Sequence, residues 1–172
     1  MHVAMTGLTT LGLDRIWWMV SPQNPLKSTQ PPYEHRVKSV EALGLHNKME
    51  VSHFEKDNST QYTCDTLSLM RERYSKTRFV FLMGADNFLQ LPKWKNWRSI
   101  VETTPIAVIA RPDKRFGTIR SRLGTAARIY ADYRVPESQA HTLQDYKAPA
   151  WTFLTLPLNP LSSTQIRNAA KS

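Results

Sequence analysis

Five short runs dominated by β-branched, aromatic and other apolar residues punctuate the chain, at 15–20 (RIWWMV), 49–54 (MEVSHF), 78–85 (RFVFLMGA), 105–111 (PIAVIAR) and 151–157 (WTFLTLP). Each has the length and composition of a strand. Between them the apolar positions recur at helical spacing: Cys64, Leu67 and Met70 in YTCDTLSLMRERY, and Val37, Val40, Ala42 and Leu43 in EHRVKSVEALGL. Near-continuous apolar strands that alternate with helices bury both faces of a parallel sheet. The pattern therefore predicts an α/β fold, a doubly wound parallel sheet of Rossmann-like kind, in one domain spanning 1–172. The opening MHVAMTGLTTLGL reads as a helix, with Val3, Leu8 and Leu11 apolar and Gly12 as its stop. No strand precedes it, although a doubly wound sheet places its first strand centrally. The expectation is an N-terminally incomplete domain without its first central strand.

Composition narrows the function classes. The 172 residues carry a formal net charge of +9, which suits anionic partners. The basic residues are dispersed, and the densest stretch, RPDKRFGTIRSRLGTAARIYADYR, reads more simply as a solvated helical surface than as a polynucleotide track. No apolar run is long enough to span a bilayer and no leader pattern opens the chain. The expected location is cytoplasmic, with no membrane and no nucleic acid as partner. One cysteine, Cys64, excludes an internal disulfide and a Cys-based zinc site. His2, His35, His46, His53 and His141 lack metal-ligand spacing, so no protein-bound metal is expected.

Two stretches carry candidate chemistry. Near the end, NPLSSTQIRNAAKS places Ser162, Ser163, Thr164 and Gln165 in a capping-box pattern after the last strand. A helix start presents unpaired N–H groups and the positive end of its dipole, so it favours an anion. Ser163 and Thr164 add hydroxyls, and Arg167 adds a fixed forked cation. A plain capped surface helix fits the same residues. The strand at 78–85 ends in Gly84-Ala85-Asp86, where glycine allows close backbone approach and an aspartate can accept from ribose hydroxyls. Asp86 is equally a natural N-cap for NFLQL. In LPKWKNW, Trp94 stands between Lys93 and Lys95, a flat ring beside cations that suits an aromatic carboxylate, while Trp94 and Trp97 can also be core.

LSSTQIR resembles the ISSTxIR signature of the adenylyltransferase superfamily of nucleotidyltransferases. Together with SPQNPLK, YTCDTL, MGADNFLQLPKWKNW and VIARPD, in that order, it is similar to bacterial nicotinate-nucleotide adenylyltransferases from Gly12 to Arg167. The resemblance implies an enzyme that joins ATP to nicotinate mononucleotide, giving nicotinate adenine dinucleotide and pyrophosphate in NAD biosynthesis, with Mg²⁺ as cofactor. It implies Arg167, Ser163 and Lys27 as catalytic residues. It implies Gly84, Asp86, Ser162, Ser163, Thr164 and Arg167 around ATP, and Asn24, Lys27, Thr63, Asp86, Trp94 and Lys95 around the nicotinate nucleotide. Tyr62 and Thr63 can instead merely start a helix, Lys27 can be a surface lysine, and an ordinary loop role suits Arg111.

The family's GxFxPxHxGH motif is absent from this sequence, and Met1 aligns just past its place, so His2 is not a motif histidine. The chain as given is expected to fold poorly, through unpaired apolar strand edges, and to turn over slowly. Alternatives are an adenylyltransferase for nicotinamide mononucleotide or phosphopantetheine, a nucleotide-binding pseudoenzyme, or a basic RNA-binding domain. Monomer and homodimer both stay open.

Overall fold

The computed structural model describes residues 2–23, 30–110 and 124–155. Within them lie the five strands β1 (Ile16–Met19), β2 (Met49–Ser52), β3 (Phe81–Gly84), β4 (Ile106–Ile109) and β5 (Trp151–Leu154). Each falls inside a run expected to be a strand. The helices are α1 (His2–Thr10), α2 (Tyr33–Glu41), α3 (Phe54–Asp57), α4 (Thr63–Arg73), α5 (Ala85–Gln90), α6 (Trp97–Thr103) and α7 (Thr125–Ile129), with 3-10 turns at Leu91–Lys93, Ala131–Tyr133 and Glu137–Asp145. All pairing is parallel. β1 pairs with β2, and β4 lies between β3 and β5, so the described strands form a two-stranded and a three-stranded sheet rather than one continuous ladder.

The period of two along each strand divides the core between two faces. Trp17 and Met19 of β1, Phe81 and Met83 of β3, Ile106 and Val108 of β4, and Trp151 and Phe153 of β5 pack with α4, α5, α6 and α7. On the other face Ala107, Ile109 and Leu154 meet Leu11, Val135, Ala140 and Leu143. Ile16 and Met49 there meet Ala4 and Leu8 of α1, with Leu82 of β3 against them. Leu82 thus joins the two sheets on this face, as Trp17 and Met19 do on the other. Gly7 sits mid-helix over it, where a Cβ would stand 2.8 Å from Leu82 Cδ1. Across the opposite face Trp17 meets Tyr74 edge-on at 5.3 Å and Phe79 at 6.0 Å.

The sheets are therefore held side by side through side chains, with no ladder between β1 and β3 among the described residues. Burial follows that arrangement. Every residue of β4 and β5 is at most 2% exposed. By contrast Trp17, Trp18 and Met19 of β1 and Phe81 and Leu82 of β3 are only half-buried. In the described part of the basic stretch, Arg128 and Arg134 are exposed, while Ala126, Ala127 and Tyr130 are buried. Trp151 Nε1 donates to the Tyr130 carbonyl at 2.7 Å, and the Tyr130 hydroxyl donates to Glu102 Oε1 at 2.6 Å. These contacts turn α7 into a layer over β5.

Candidate active site

At the carboxyl end of β3 the chain turns straight into α5. Gly84 is the residue before the helix, buried, with φ −73° and ψ 153°. Any residue adopts that backbone, so the dihedral angles here do not call for glycine. Asp86 is half-buried in the first turn of α5 and is not its N-cap, because the helix already begins at Ala85. The helix runs into the Leu91–Lys93 turn, which Trp94 closes by donating its N–H to the Leu91 carbonyl at 2.9 Å. Asn96 then takes a left-handed conformation, φ 47°, which reverses the chain into α6. Trp94 is half-buried and meets Phe81 of β3 edge-on, ring centroids 6.4 Å apart.

A second segment comes up beside Trp94. β2 leads through α3 and a tight turn into α4, whose first residue is the half-buried Thr63. The Tyr62 carbonyl accepts the N–H groups of Asp65 and Thr66, both at 3.0 Å. No side chain caps this helix. The N–H groups of Thr63 and Cys64 precede Asp65, the first intrahelical donor, and the helix dipole adds positive potential there. The start of α4 thus offers a hydroxyl and backbone donors suited to a carboxylate.

Lys95 ties the two segments together. Its ammonium lies 3.1 Å from Asp65 Oδ2 and 4.3 Å from the centre of the Tyr62 ring. The hydrogen bond from Lys95 holds the Asp65 carboxyl below its ordinary range, and Asp65 in turn raises Lys95. Burial is the main cause that raises the Cys64 thiol, which donates to Asp65 Oδ1 at 3.4 Å. Lys95 therefore joins the Trp94 segment and the start of α4 into one wall, and Phe81 connects Trp94 to the strand that ends at Gly84. Asn24, Lys27, Arg111, Ser162, Ser163, Thr164 and Arg167 lie outside the described residues.

Four further residues organise this wall and the turns beside it. Asp65 holds Lys95. Arg36 of α2 donates from Nη1 to the Ser21 carbonyl, from Nη2 to the Pro22 carbonyl at 2.7 Å and from Nε to the Pro31 carbonyl at 3.1 Å. Gln30 adds a hydrogen bond to the Pro22 carbonyl at 3.2 Å. Together they cinch the neck of the loop that follows β1. Glu55 of α3 is only 6% exposed and accepts from Thr66 Oγ1 at 3.1 Å. Neither Arg36 nor Asp65 stands out among the chain's other charged residues, and a glutamate in a polar turn carries no sign of burial.

The model of the cytidylyltransferase-like family matches residues 1–169, and the chain belongs to that family of nucleotidyltransferases. Within it, the similarity is to nicotinate-nucleotide adenylyltransferases. A probable enzyme of that name from Ruegeria pomeroyi is 44% identical over 169 residues, covering 98% of this chain and 78% of the relative. Another, from Parvibaculum lavamentivorans, is also 44% identical over 169 residues, covering 97% and 83%. Among solved structures, the Plasmodium falciparum nicotinic acid mononucleotide adenylyltransferase complexed with APC matches with a TM-score of 0.58 at 15% identity, over 95% of this chain and 67% of that one. That last likeness is one of fold. Among the described residues no helix is long and apolar enough to cross a membrane.

Proposed function

We propose that this chain transfers the adenylyl group of ATP to nicotinate mononucleotide, releasing pyrophosphate. The observation that carries the reading is the wall in which Lys95 joins the segment of Trp94 to the start of α4. A pyridine ring would stack on Trp94, and its carboxylate would take the Thr63 hydroxyl and the backbone donors beside it. The identity with nicotinate-nucleotide adenylyltransferases along almost the whole chain supports the same assignment.

In this reaction the phosphate of the mononucleotide attacks the α-phosphorus of ATP. One P–O bond forms as the bond to pyrophosphate breaks, and no covalent enzyme intermediate is needed. Catalysis is then positioning together with neutralisation of charge on oxygens. In the proposal Asp86, with Gly84 before it, faces a ribose. Ser162, Ser163, Thr164 and Arg167 hold the ATP phosphates, and Asn24 and Lys27 line the phosphate side of the mononucleotide. Magnesium enters as the counter-ion that ATP carries on its phosphates. Among the described residues no group of three or more His, Cys, Asp or Glu is placed to hold a metal ion. A cytoplasmic setting belongs to the same proposal.

The test is pyrophosphate release from ATP and Mg²⁺, with nicotinate mononucleotide and nicotinamide mononucleotide supplied separately. It is run on this chain and on a version carrying a GxFxPxHxGH strand upstream. Release that depends on the nicotinate nucleotide supports the assignment. Two folded proteins that release nothing with either nucleotide would overturn it.

A further inference from the structure

Glu55 is a carboxylate where burial is costly, because desolvation penalises the charged form and only hydrogen bonds offset it. Its carboxyl lines a cleft of about 240 Å³ together with Pro22, Gln23, Thr60 and Gln61. The forces on it are burial, which raises its pKa, opposed by the hydroxyls of Ser21 and Thr66, with no charged group among the causes. Lys56, its neighbour on α3, reaches away to Glu34 at 2.8 Å. Oε2 has no hydrogen-bonded partner among the described residues.

The same residue grips the following turn twice. Its backbone carbonyl accepts the Thr60 N–H at 3.0 Å. Its side chain reaches Thr60 through Thr66, whose Oγ1 lies 3.1 Å from Glu55 Oε1 and 3.0 Å from Thr60 Oγ1. Between these contacts Ser59 is held at φ 51°, a conformation that a residue with a side chain adopts only under constraint. The turn leads directly to Tyr62 and Thr63.

We propose that Glu55 is a positioning residue for the pyridine-nucleotide side of the site. Its carboxyl, through Thr66, and its backbone carbonyl fasten α3 to the Thr60–Thr66 turn and so set where Tyr62 and Thr63 stand. The inference rests on the function proposed above and goes beyond it in assigning a role to a residue that need not touch substrate. Counting protons shows how the setting is transmitted. Thr66 Oγ1 has one proton and three oxygens within reach, the third being the Tyr62 carbonyl at 3.2 Å. With Glu55 ionised, Thr66 donates to Glu55 and Thr60 donates to Thr66. With Glu55 protonated, the carboxyl donates to Thr66, whose own proton passes to the Tyr62 carbonyl. The Tyr62 peptide, the first acceptor of α4, thereby responds to the proton on Glu55.

The experiment compares wild type, Glu55→Gln, Glu55→Ala and Thr66→Val in the coupled assay, with KM for each substrate, kcat and Tm measured from pH 5 to 8. Glu55→Ala should raise KM for nicotinate mononucleotide about tenfold, the loss of one hydrogen bond to a charged group, with KM for ATP unmoved. Thr66→Val should do the same, more weakly. Glu55→Gln keeps a neutral hydrogen-bonding group and should rescue KM while flattening its pH dependence relative to wild type. Since both proteins see the same substrates, the ratio of their KM values cancels substrate ionisation. An active wild type whose Glu55→Ala and Thr66→Val forms keep KM, or raise both KM values together, would overturn the inference alone. A wild type that neither binds nor converts nicotinate mononucleotide would overturn the proposed function, and this inference with it.

Discussion

The ammonium of Lys95 lies between the Asp65 carboxylate, at 3.1 Å, and the face of Tyr62, at 4.3 Å, and so pins the Trp94 segment to the start of α4. Both charged side chains are nearly half exposed, at 46% and 45%. Such a pair adds little to global stability and is valuable for geometry instead. Lys95→Met and Asp65→Asn should leave Tm almost unchanged and raise KM for nicotinate mononucleotide by roughly threefold to tenfold, as a weakened charged contact does. Because Lys95 depresses the folded-state pKa of Asp65, the contribution of the pair is present above the ordinary aspartate value of 3.8 and is lost as pH falls through the lower folded value. Any Tm difference between wild type and Asp65→Asn should vanish at that acid end. A KM rise shared equally by ATP would mean that the pair is not specific to this wall.

Trp94 supplies a flat half-buried ring braced edge-on by Phe81. Stacking on an aromatic side chain contributes about 1–3 kcal/mol per base, so Trp94→Ala should weaken nicotinate mononucleotide binding by roughly 5- to 150-fold. Trp94→Phe should recover part of the loss. Titration calorimetry measures this directly, and unchanged binding by Trp94→Ala would remove the stacking role.

Arg36 spends Nε, Nη1 and Nη2 on three backbone carbonyls at the neck of the loop after β1. Replacement by methionine keeps the stem and deletes all three bonds. At about 1 kcal/mol each, with partial rehydration of the carbonyls, a destabilisation of about 1–3 kcal/mol is expected in urea unfolding. Limited proteolysis should also cut between residues 21 and 32 faster than in wild type. Equal cleavage in the two proteins would show that the neck closes without the guanidinium.

Glu55 makes the opposite pH prediction to Asp65. Burial raises its folded pKa above the ordinary glutamate value of 4.5. The folded state then holds a proton that the unfolded state releases, so the favourable contribution is full below the ordinary value and fades as pH climbs through the raised one. Glu55→Gln should remove that decline, and its stability relative to wild type should increase across this window. Urea midpoints at a series of pH values measure it, and parallel curves for the two proteins would place the carboxyl in water.

Much of the fold was legible because its strands are buried on both faces. IAVI and WTFL have almost no freedom to be anything else, and they became β4 and β5 with every residue at most 2% exposed. The helix over 63–73 was legible from its apolar spacing. Short elements were not. α3 has four residues, too few for a periodic signal, and it forms because Phe54 is buried in the core and Asn58 closes its end with a hydrogen bond to the Phe54 carbonyl. Asp86 fitted an N-cap by local pattern, but β3 ends and α5 starts one residue earlier, which puts it in the first turn. In 125–130 charge marks only the solvated side, where Arg128 is exposed. Its two alanines and Tyr130 form the other side and cover β5.

By itself, the sequence determined the strands, the parallel pairing that their apolar runs demand, and the blocks YTCDTL, GADNF and KWK whose combination names the family. These are local or compositional properties, carried by neighbours along the chain. Only the tertiary structure decided which blocks touch. It placed Lys95 against Asp65 and Tyr62, separated by some thirty positions in the chain, closed the loop neck on Arg36, and buried Glu55 beneath the turn that leads to Thr63. Those relationships depend on how helices settle on a sheet, and hydrogen bonds between distant segments leave no period in the sequence from which to read them.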